Sequence, residues 1–373
     1  MGYWQCPMED LVAMFGGVYK NRRVLITGNT GFKGSWLALW LQSLGANLAG
    51  VALPPETQVS HWELLKLDME TFYIDIRDQN LLRETILHFN PEIVFHLAAQ
   101  PLVRRSYSNP LETWEINVMG TANLLDICRR VDGLGAIVIV TTDKCYENRG
   151  WVWGYREIDP LGGHDPYSAS KAGSELVVGS YRLAFFNRPG NPLLATARAG
   201  NVIGGGDWSE DRLIPDIVRA FEEGQSLEIR SPKATRPWQH VLECLSGYLM
   251  LGQQLFSGDK EFANAWNFGP DREGNRQVIE VLDAIKEKWG SVSWHYTAQP
   301  QPYEAQLLHL DSSKAREKLL WRPVLTFDEM IAYTSEWYHA WLSQRDVISL
   351  TQLKEYIRIA SDRGLTWVKG EIE

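Results

Sequence analysis

The sequence predicts a doubly wound parallel α/β sheet that carries a smaller, mixed α/β lobe toward its C-terminus. Three observations predict it. Short aliphatic runs alternate with segments of helical period through the first 200 residues, a glycine-rich turn follows the first run, and the alternation weakens after about Gly200. Strands that alternate with helices imply right-handed parallel crossovers, hence helices on both faces of one sheet.

Taken in order, "RVLITG" (23–28) is the first strand and "SWLALWLQSLG" (35–45) an apolar helix closed by Gly45. "NLAGVAL" and "TFYIDI" (71–76) are the second and third strands. "DQNLLRETILHFN" is a helix with an acidic cap, stopped before Pro91. "EIVFHLA" is the fourth strand, 111–131 a long helix, "AIVIVT" the fifth strand, 166–187 a helix and "LLATARAG" the sixth strand. Beyond it, short strands such as "LEIR" and "AWNFG" mix with helices such as "DRLIPDIVRAFEEG" and "QVIEVLDAIKEKWG". The expected organisation is an N-terminal extension (1–17), a dinucleotide lobe (18–200), a second lobe (201–345) with segments that return to the first, and a tail (346–373). "MFGGVYKNRRVLITG" reads as a complete beginning, which makes a start at Met14 one expectation.

Composition excludes several classes. The 373 residues are 45% hydrophobic and 22% charged with a net charge of −9, and they show no basic stripe of the kind that binds nucleic acid. No apolar run approaches the roughly 18 residues of a membrane span, and the start lacks the basic and apolar regions of a secretory signal. Cys6, Cys128, Cys145 and Cys244 are far apart, with no C-x-x-C pair. Neither a disulfide framework nor a metal site is expected, and a reducing cytoplasm is.

Chemistry starts at "TGNTGFKG", where Gly28, Gly31 and Gly34 recur every third residue between a strand and a helix. Glycines there let backbone N–H groups approach a pyrophosphate, and the helix N-terminus favours its charge. Thr30, Phe32 and Lys33 belong to the same turn. The second strand ends in "VALPPET", without the acid that would hold a ribose hydroxyl, and Lys33 is available for a 2′-phosphate. Residues alone therefore leave NAD and NADP open. Asp75, with Ile76 at the third strand end, is placed to accept from an adenine amine, or else to cap the next helix, for which Asp78 is better placed.

"YSASK" sets Tyr167 and Lys171 at i, i+4 on one helix face. A phenol of pKa about 10 is a poor base at neutral pH, and a neighbouring ammonium and a cationic nicotinamide both favour the phenolate. "TTDKCYEN" (141–148) then crowds hydroxyls, an acid and an amine onto the end of the fifth strand.

The glycine loop, "HLAAQ", "NVMGT", "TTD" and "YSASK" resemble the extended short-chain dehydrogenase/reductase family, which implies a Rossmann-type sheet. More narrowly, "TGNTGFKGSWL", "TTDKCYEN", "GWVWGYRE", "DPYSASK", "RAGNVIGGGDW", "DRLIPD", "RPWQHVLE" and "WNFGP" are similar to the CDP-sugar branch of the nucleotide-sugar 4,6-dehydratases. The likeness runs from about Gly16 to the early 340s. It implies a lyase that acts on CDP-glucose and regenerates NAD+ in each turnover. Tyr167 would take the proton of the sugar's 4-hydroxyl as hydride leaves carbon 4. Loss of the carbon 5 proton would expel the carbon 6 hydroxyl as water, and hydride would return to carbon 6. Thr142 would hydrogen-bond the carbon 4 oxygen, and Lys171 would hold Tyr167 and the nicotinamide ribose. Where dTDP-sugar relatives read Asp-Glu, this chain reads Asp143-Lys144: Asp143 as the acid, Lys144 as the base once its pKa is depressed. Neighbours on a strand point to opposite faces, so both reach one substrate only if the chain turns after Thr142; otherwise they form a surface ion pair.

Other contacts follow by position from the same resemblance. Ala98 and Ala99 lie under the adenosine and pyrophosphate, Arg198 and Asn201 follow the sixth strand near the nicotinamide and sugar phosphates, and Thr141 is a cofactor contact or else structural. Asn117 is a cofactor contact or, equally, a helix–strand hydrogen bond. Gln100, Asn201, Arg212 and Arg236 are the substrate-binding candidates, the two arginines for a diphosphate. "WVWGYRE" reads as a lid over the hexose or as a packed aromatic corner. The competing functions are a 4-epimerase, a dTDP- or GDP-sugar dehydratase, and a non-catalytic NAD-sensing regulator. The broad apolar faces of 111–131 and 166–187 predict a homodimer through four helices, or a homotetramer.

Overall fold

The computed structural model describes residues 11–290, 292–297 and 307–369. The strands among them are β1 (Arg23–Thr27), β2 (Asn47–Ala52), β3 (Glu70–Tyr73), β4 (Ile93–His96), β5 (Ala136–Val140), β6 (Leu193–Ala199), β7 (Asn201–Ile203), β8 (Leu227–Ile229), β9 (Thr235–His240), β10 (Ala265–Phe268), β11 (Asn275–Gln277) and β12 (Trp294–Tyr296). Seven of them form one parallel, Rossmann-type sheet in the order β10-β6-β5-β4-β1-β2-β3. β5, wholly aliphatic, and β6 are buried from end to end because helices cover both faces. The chain steps outward from β1 to β3, then restarts beside β1 with β4. The carboxyl ends of β1 and β4 therefore flank the switch point, the crevice where open α/β sheets bind ligands.

β10 arrives from the second half and pairs with β6, with Ala265 beside Thr196. The second lobe's own strands are few: β11-β9-β7 form a small sheet, and β12 pairs with β8.

Three elements differ from expectation. The helix after the glycine turn begins at Phe32 (Phe32–Ser43) because Gly31 is its N-cap. β3 stops at Tyr73, which leaves Asp75 in the following turn. The long helix expected over 111–131 breaks into Pro110–Trp114, a π turn Glu115–Gly120, and Thr121–Cys128. Such a π turn admits one extra residue, a device that recurs at functional sites. Gly120 is needed there, since a Cβ would collide with Ile76.

Many of the described tryptophans are core. Trp36, Trp40, Trp266, Trp321 and Trp337 are fully buried. Both ends of the described chain join them. Phe15 stacks on Trp367 at 5.2 Å, and Trp367 meets Trp40 and Tyr356. Leu11 and Met14 are buried in the same cluster. The expected extension, whose residues 1–10 and Cys6 lie outside the described residues, and the expected tail thus close on the helix Phe32–Ser43. Helices Ser349–Asp362 and Thr366–Lys369 make up the described tail. A buried carboxyl anchors it: Glu243 accepts from the Val324 and Leu325 amides at 2.9 and 2.6 Å and from the Tyr356 hydroxyl at 2.9 Å. Burial pushes that carboxyl up to about 7.

Candidate active site

Beyond β5 the chain turns where the chemistry requires it. Thr142 is extended, at φ −152° and ψ 159°, and residues Asp143–Cys145 form a 3₁₀ turn whose Lys144 amide donates to Thr142 Oγ1 at 3.3 Å. The turn gives the acid and the amine different surroundings. Thr142 and Lys144 line a cleft of about 760 Å³ at the switch point. Asp143 lies behind them, fully buried, and its Oδ1 accepts from the Thr142 hydroxyl at 3.0 Å. Its Oδ2 is buried without a partner among the described residues and faces Gly200, where a Cβ would come within 3.3 Å.

Tyr167 and Lys171 reach the same cleft from the helix Pro166–Ala184. Asp165 caps that helix through the Ser168 amide at 2.9 Å, and Pro166 presets its first turn. The Ser106 hydroxyl fixes the Tyr167 amide at 3.1 Å, and Lys171 Nζ donates to the Val140 carbonyl at 3.4 Å. Burial pushes the Tyr167 phenol up to about 12, opposed by a hydrogen bond with Thr142. Burial and then the Lys33 ammonium bring Lys171 down to about 8.

The glycine turn is built for close approach. Gly28 has φ 76°, and a Cβ on it would sit 2.7 Å from the Ala98 amide; one on Gly34 would collide with the Gly28 carbonyl. No side chain caps the Phe32–Ser43 helix at Gly31, so its first amides are free to face the crevice. Gly31, Thr30, Phe32, Ala98, Ala99, Ile76 and Asp75 line it. The Thr30 hydroxyl is turned to the Leu53 carbonyl at 2.9 Å. The Asp75 carboxylate takes the Arg77 guanidinium at 2.7 Å, which holds it below the usual carboxylate range, while Asp78 caps the next helix as expected.

Several expected residues lie elsewhere than the sequence suggests. Lys33 lies toward the Tyr167–Lys171 end of the cleft, where burial lowers its ammonium and Cys244, Arg212, Asp143 and Lys144 are the groups it feels. That direction takes it away from a 2′-phosphate. Asn117 is buried off the cleft: it donates to the Gln100 carbonyl at 3.1 Å and to Ser170 Oγ at 2.8 Å, so it ties the loop after β4 to the catalytic helix. Gln100 lines the cleft, but its side-chain amide donates to Thr113 of the helix Pro110–Trp114 at 2.9 Å and accepts from the Leu102 amide at 2.6 Å. Arg198 faces the helix side of β6, not the cleft. Its guanidinium is paired with Glu175 at 2.7 Å and donates to the Tyr146 hydroxyl at 2.7 Å.

Glu175, which the sequence reading did not single out, also accepts from Thr141 and Thr196. Burial alone would raise its pKa, but Arg198 and these bonds hold it below the usual range. Its signal was present: positions 167, 171 and 175 share one helix face. Glu56, directly after the "VALPP" run, lines the cleft and pairs with Arg105 at 2.9 Å.

On the second-lobe side, Asn201 lines the cleft with a buried Oδ1 that has no partner among the described residues. Arg212 is held by Asp207 at 2.9 Å, and Arg236 is buried beside the Thr235 carbonyl at 3.0 Å. The "WVWGYRE" segment packs away from the cleft: Trp151 and Tyr155 meet at 5.4 Å, and Tyr155 stacks on Tyr146 at 5.2 Å. It is the aromatic corner, not the lid. Among the described residues no group of side chains could hold a metal ion.

Comparison with known proteins shows the family. The family model described as GDP-mannose 4,6 dehydratase matches residues 25–334. A CDP-glucose 4,6-dehydratase of Salmonella typhimurium is 48% identical over 91% of this chain and 97% of its own. A solved dTDP-glucose 4,6-dehydratase of Streptomyces venezuelae, with NAD bound, superposes with a TM-score of 0.72 at 25% identity, covering 85% of this chain and 97% of that one. An epimerase of Methanothermobacter thermautotrophicus shares the fold, with a TM-score of 0.76 at 24% identity over 92% of this chain and 98% of that one.

Proposed function

We infer the reaction from one premise: the chain belongs to the nucleotide-sugar 4,6-dehydratase family whose model spans residues 25–334. It is an NAD-dependent lyase that converts CDP-D-glucose to CDP-4-keto-6-deoxy-D-glucose and water. The observation that carries the reading is the place of Lys144, in the cleft beside Thr142, Tyr167 and Lys171. An epimerase would use Tyr167 and Lys171 and leave Lys144 idle.

The chain fits its cofactor at the glycine turn, where side chains would block the backbone at Gly28 and Gly34. NAD held by this turn would supply the hydride acceptor for carbon 4 and the hydride donor for carbon 6. The chain's own groups move the protons. Tyr167 takes the 4-hydroxyl proton; burial raises its phenol to about 12, and the Thr142 hydrogen bond and the Arg212 guanidinium work against that rise. Thr142 holds the carbon 4 oxygen. The 4-keto group acidifies carbon 5, Lys144 removes that proton, and Asp143 supplies the proton for the departing hydroxyl by way of the Thr142 hydroxyl in front of it. Asn201, Arg212 and Arg236 face the nucleotide-sugar side of the cleft.

The enzyme acts as a homodimer in the cytoplasm. Leu111, Met119, Leu176 and Leu183 are 77%, 55%, 65% and 73% exposed on the two helices expected to pair. That is the apolar surface a four-helix interface would cover. No described helix is long and apolar enough to cross a membrane, and Cys128, Cys145 and Cys244 are free and buried, which suits a reducing compartment.

The test supplies CDP-glucose, UDP-glucose and dTDP-glucose separately with NAD+ and assays 4-keto product. CDP-glucose should turn over fastest. Faster turnover of another nucleotide overturns the base assignment, and inversion at carbon 4 without loss of water overturns the dehydratase.

A further inference from the structure

The two rims of the cleft meet through ions. Arg104, in the short helix Val103–Ser108 after β4, donates to Asp211 Oδ1 at 2.9 Å. Arg230, directly after β8 in the second lobe, reaches the same oxygen at 3.3 Å. All three side chains line the cleft. One carboxylate therefore serves two guanidinium groups, each making a single hydrogen bond among the described residues, and the triad keeps a net positive charge.

The other cleft arginines are differently placed. Arg105 has an acid on either side, Glu56 at 2.9 Å and Glu112 at 3.7 Å. Arg212 holds Asp207, whose side chain is only 5% exposed, and Arg236 is buried. Arg104, Arg230 and Asp211 are instead 48%, 27% and 30% exposed. Ion pairs that open to water contribute about 1 kcal/mol or less, so this carboxylate is easily exchanged. A diphosphate offers more charge and more acceptors, and an arginine binds it bidentately.

We propose that Arg104 and Arg230 form a clamp that closes on the diphosphate of the substrate, with Asp211 as the place-holder they release when it enters. The clamp rests on the nucleotide-sugar reading. It adds two ligands that join the lobes across the substrate, and a counter-charge that keeps them poised at the mouth. Because both arginines read phosphate and not base, their effect is the same for any nucleoside diphosphate.

Calorimetric titration of the NAD+-saturated protein with CDP, UDP and cytidine tests it, with NAD+ affinity as the check on folding. Arg104→Ala and Arg230→Ala should each weaken CDP and UDP about tenfold, the size of one charge-assisted hydrogen bond, and leave cytidine unchanged. Asp211→Asn should tighten CDP, because the guanidinium groups are no longer held. The clamp is overturned if the arginine variants bind CDP like the wild type, or if Asp211→Asn weakens CDP as they do, which is the mark of a merely structural triad. A wild-type protein that binds neither CDP nor UDP overturns the nucleotide-sugar reading as well.

Discussion

The Thr142 hydroxyl donates to Asp143 Oδ1 over 3.0 Å and so stands between that carboxyl and the cleft. On the proposed mechanism the proton donor, Asp143, sits behind the hydroxyl proposed to hold the carbon 4 oxygen, while Lys144 lines the cleft itself.

Asp143→Asn keeps the size of the side chain and the Thr142 contact, and Lys144→Met keeps the aliphatic stem. Both should lower dehydration by about a hundredfold or more, the usual worth of a positioned acid or base. Single-turnover NADH formation should persist in each. Wild-type rates of product formation in both variants would refute the assignment.

Lys171 lies near 8 because it is buried and because Lys33 faces it. A lysine needed as a cation loses its effect as pH rises through that value, so the activity of the cofactor-bound enzyme should fall on the alkaline side. Lys33→Met removes a like charge and should move that alkaline limb to higher pH. A limb that stays in place would show that Lys171 does not set it.

Arg198 and Glu175 are each 3% exposed in their side chains. Arg198→Met strands a buried carboxylate, and such a loss typically costs about 3–5 kcal/mol. Urea unfolding should show a fall of that order. A loss below about 1 kcal/mol would mean that the carboxyl takes up a proton or finds water.

Glu243 binds its proton more tightly in the folded chain, near 7, than a free glutamate does. The folded state then holds the extra proton, so its stability falls as pH rises from the unfolded value through 7. Buried His61, His96 and His240, pulled down to about 3, act oppositely and weaken the fold below about 6.5. Subtracting a Glu243→Gln curve cancels them. The variant should gain on the wild type between about pH 5 and 8, as read by thermal unfolding. Parallel curves would contradict the shift.

The sequence by itself determined the parallel sheet, the glycine turn after β1 and the Tyr167–Lys171 pair. Each depends on local period or on spacing within one helix, which a single segment already contains. The need for a turn after Thr142 was likewise legible, since strand neighbours diverge. Only the tertiary structure decided where long side chains point. Lys33 lies toward the Tyr167–Lys171 end of the cleft, and Arg198 turned to Glu175 on a helix 23 residues earlier. Asn117 and Gln100 bonded to each other. The Phe15–Trp367 stack and the Arg104–Asp211 pair join residues hundreds or about a hundred positions apart. A charge or an aromatic ring takes the partner that folding brings to it, and burial makes that pairing compulsory, because an unpaired polar group inside the protein costs more than the chain's local preferences supply.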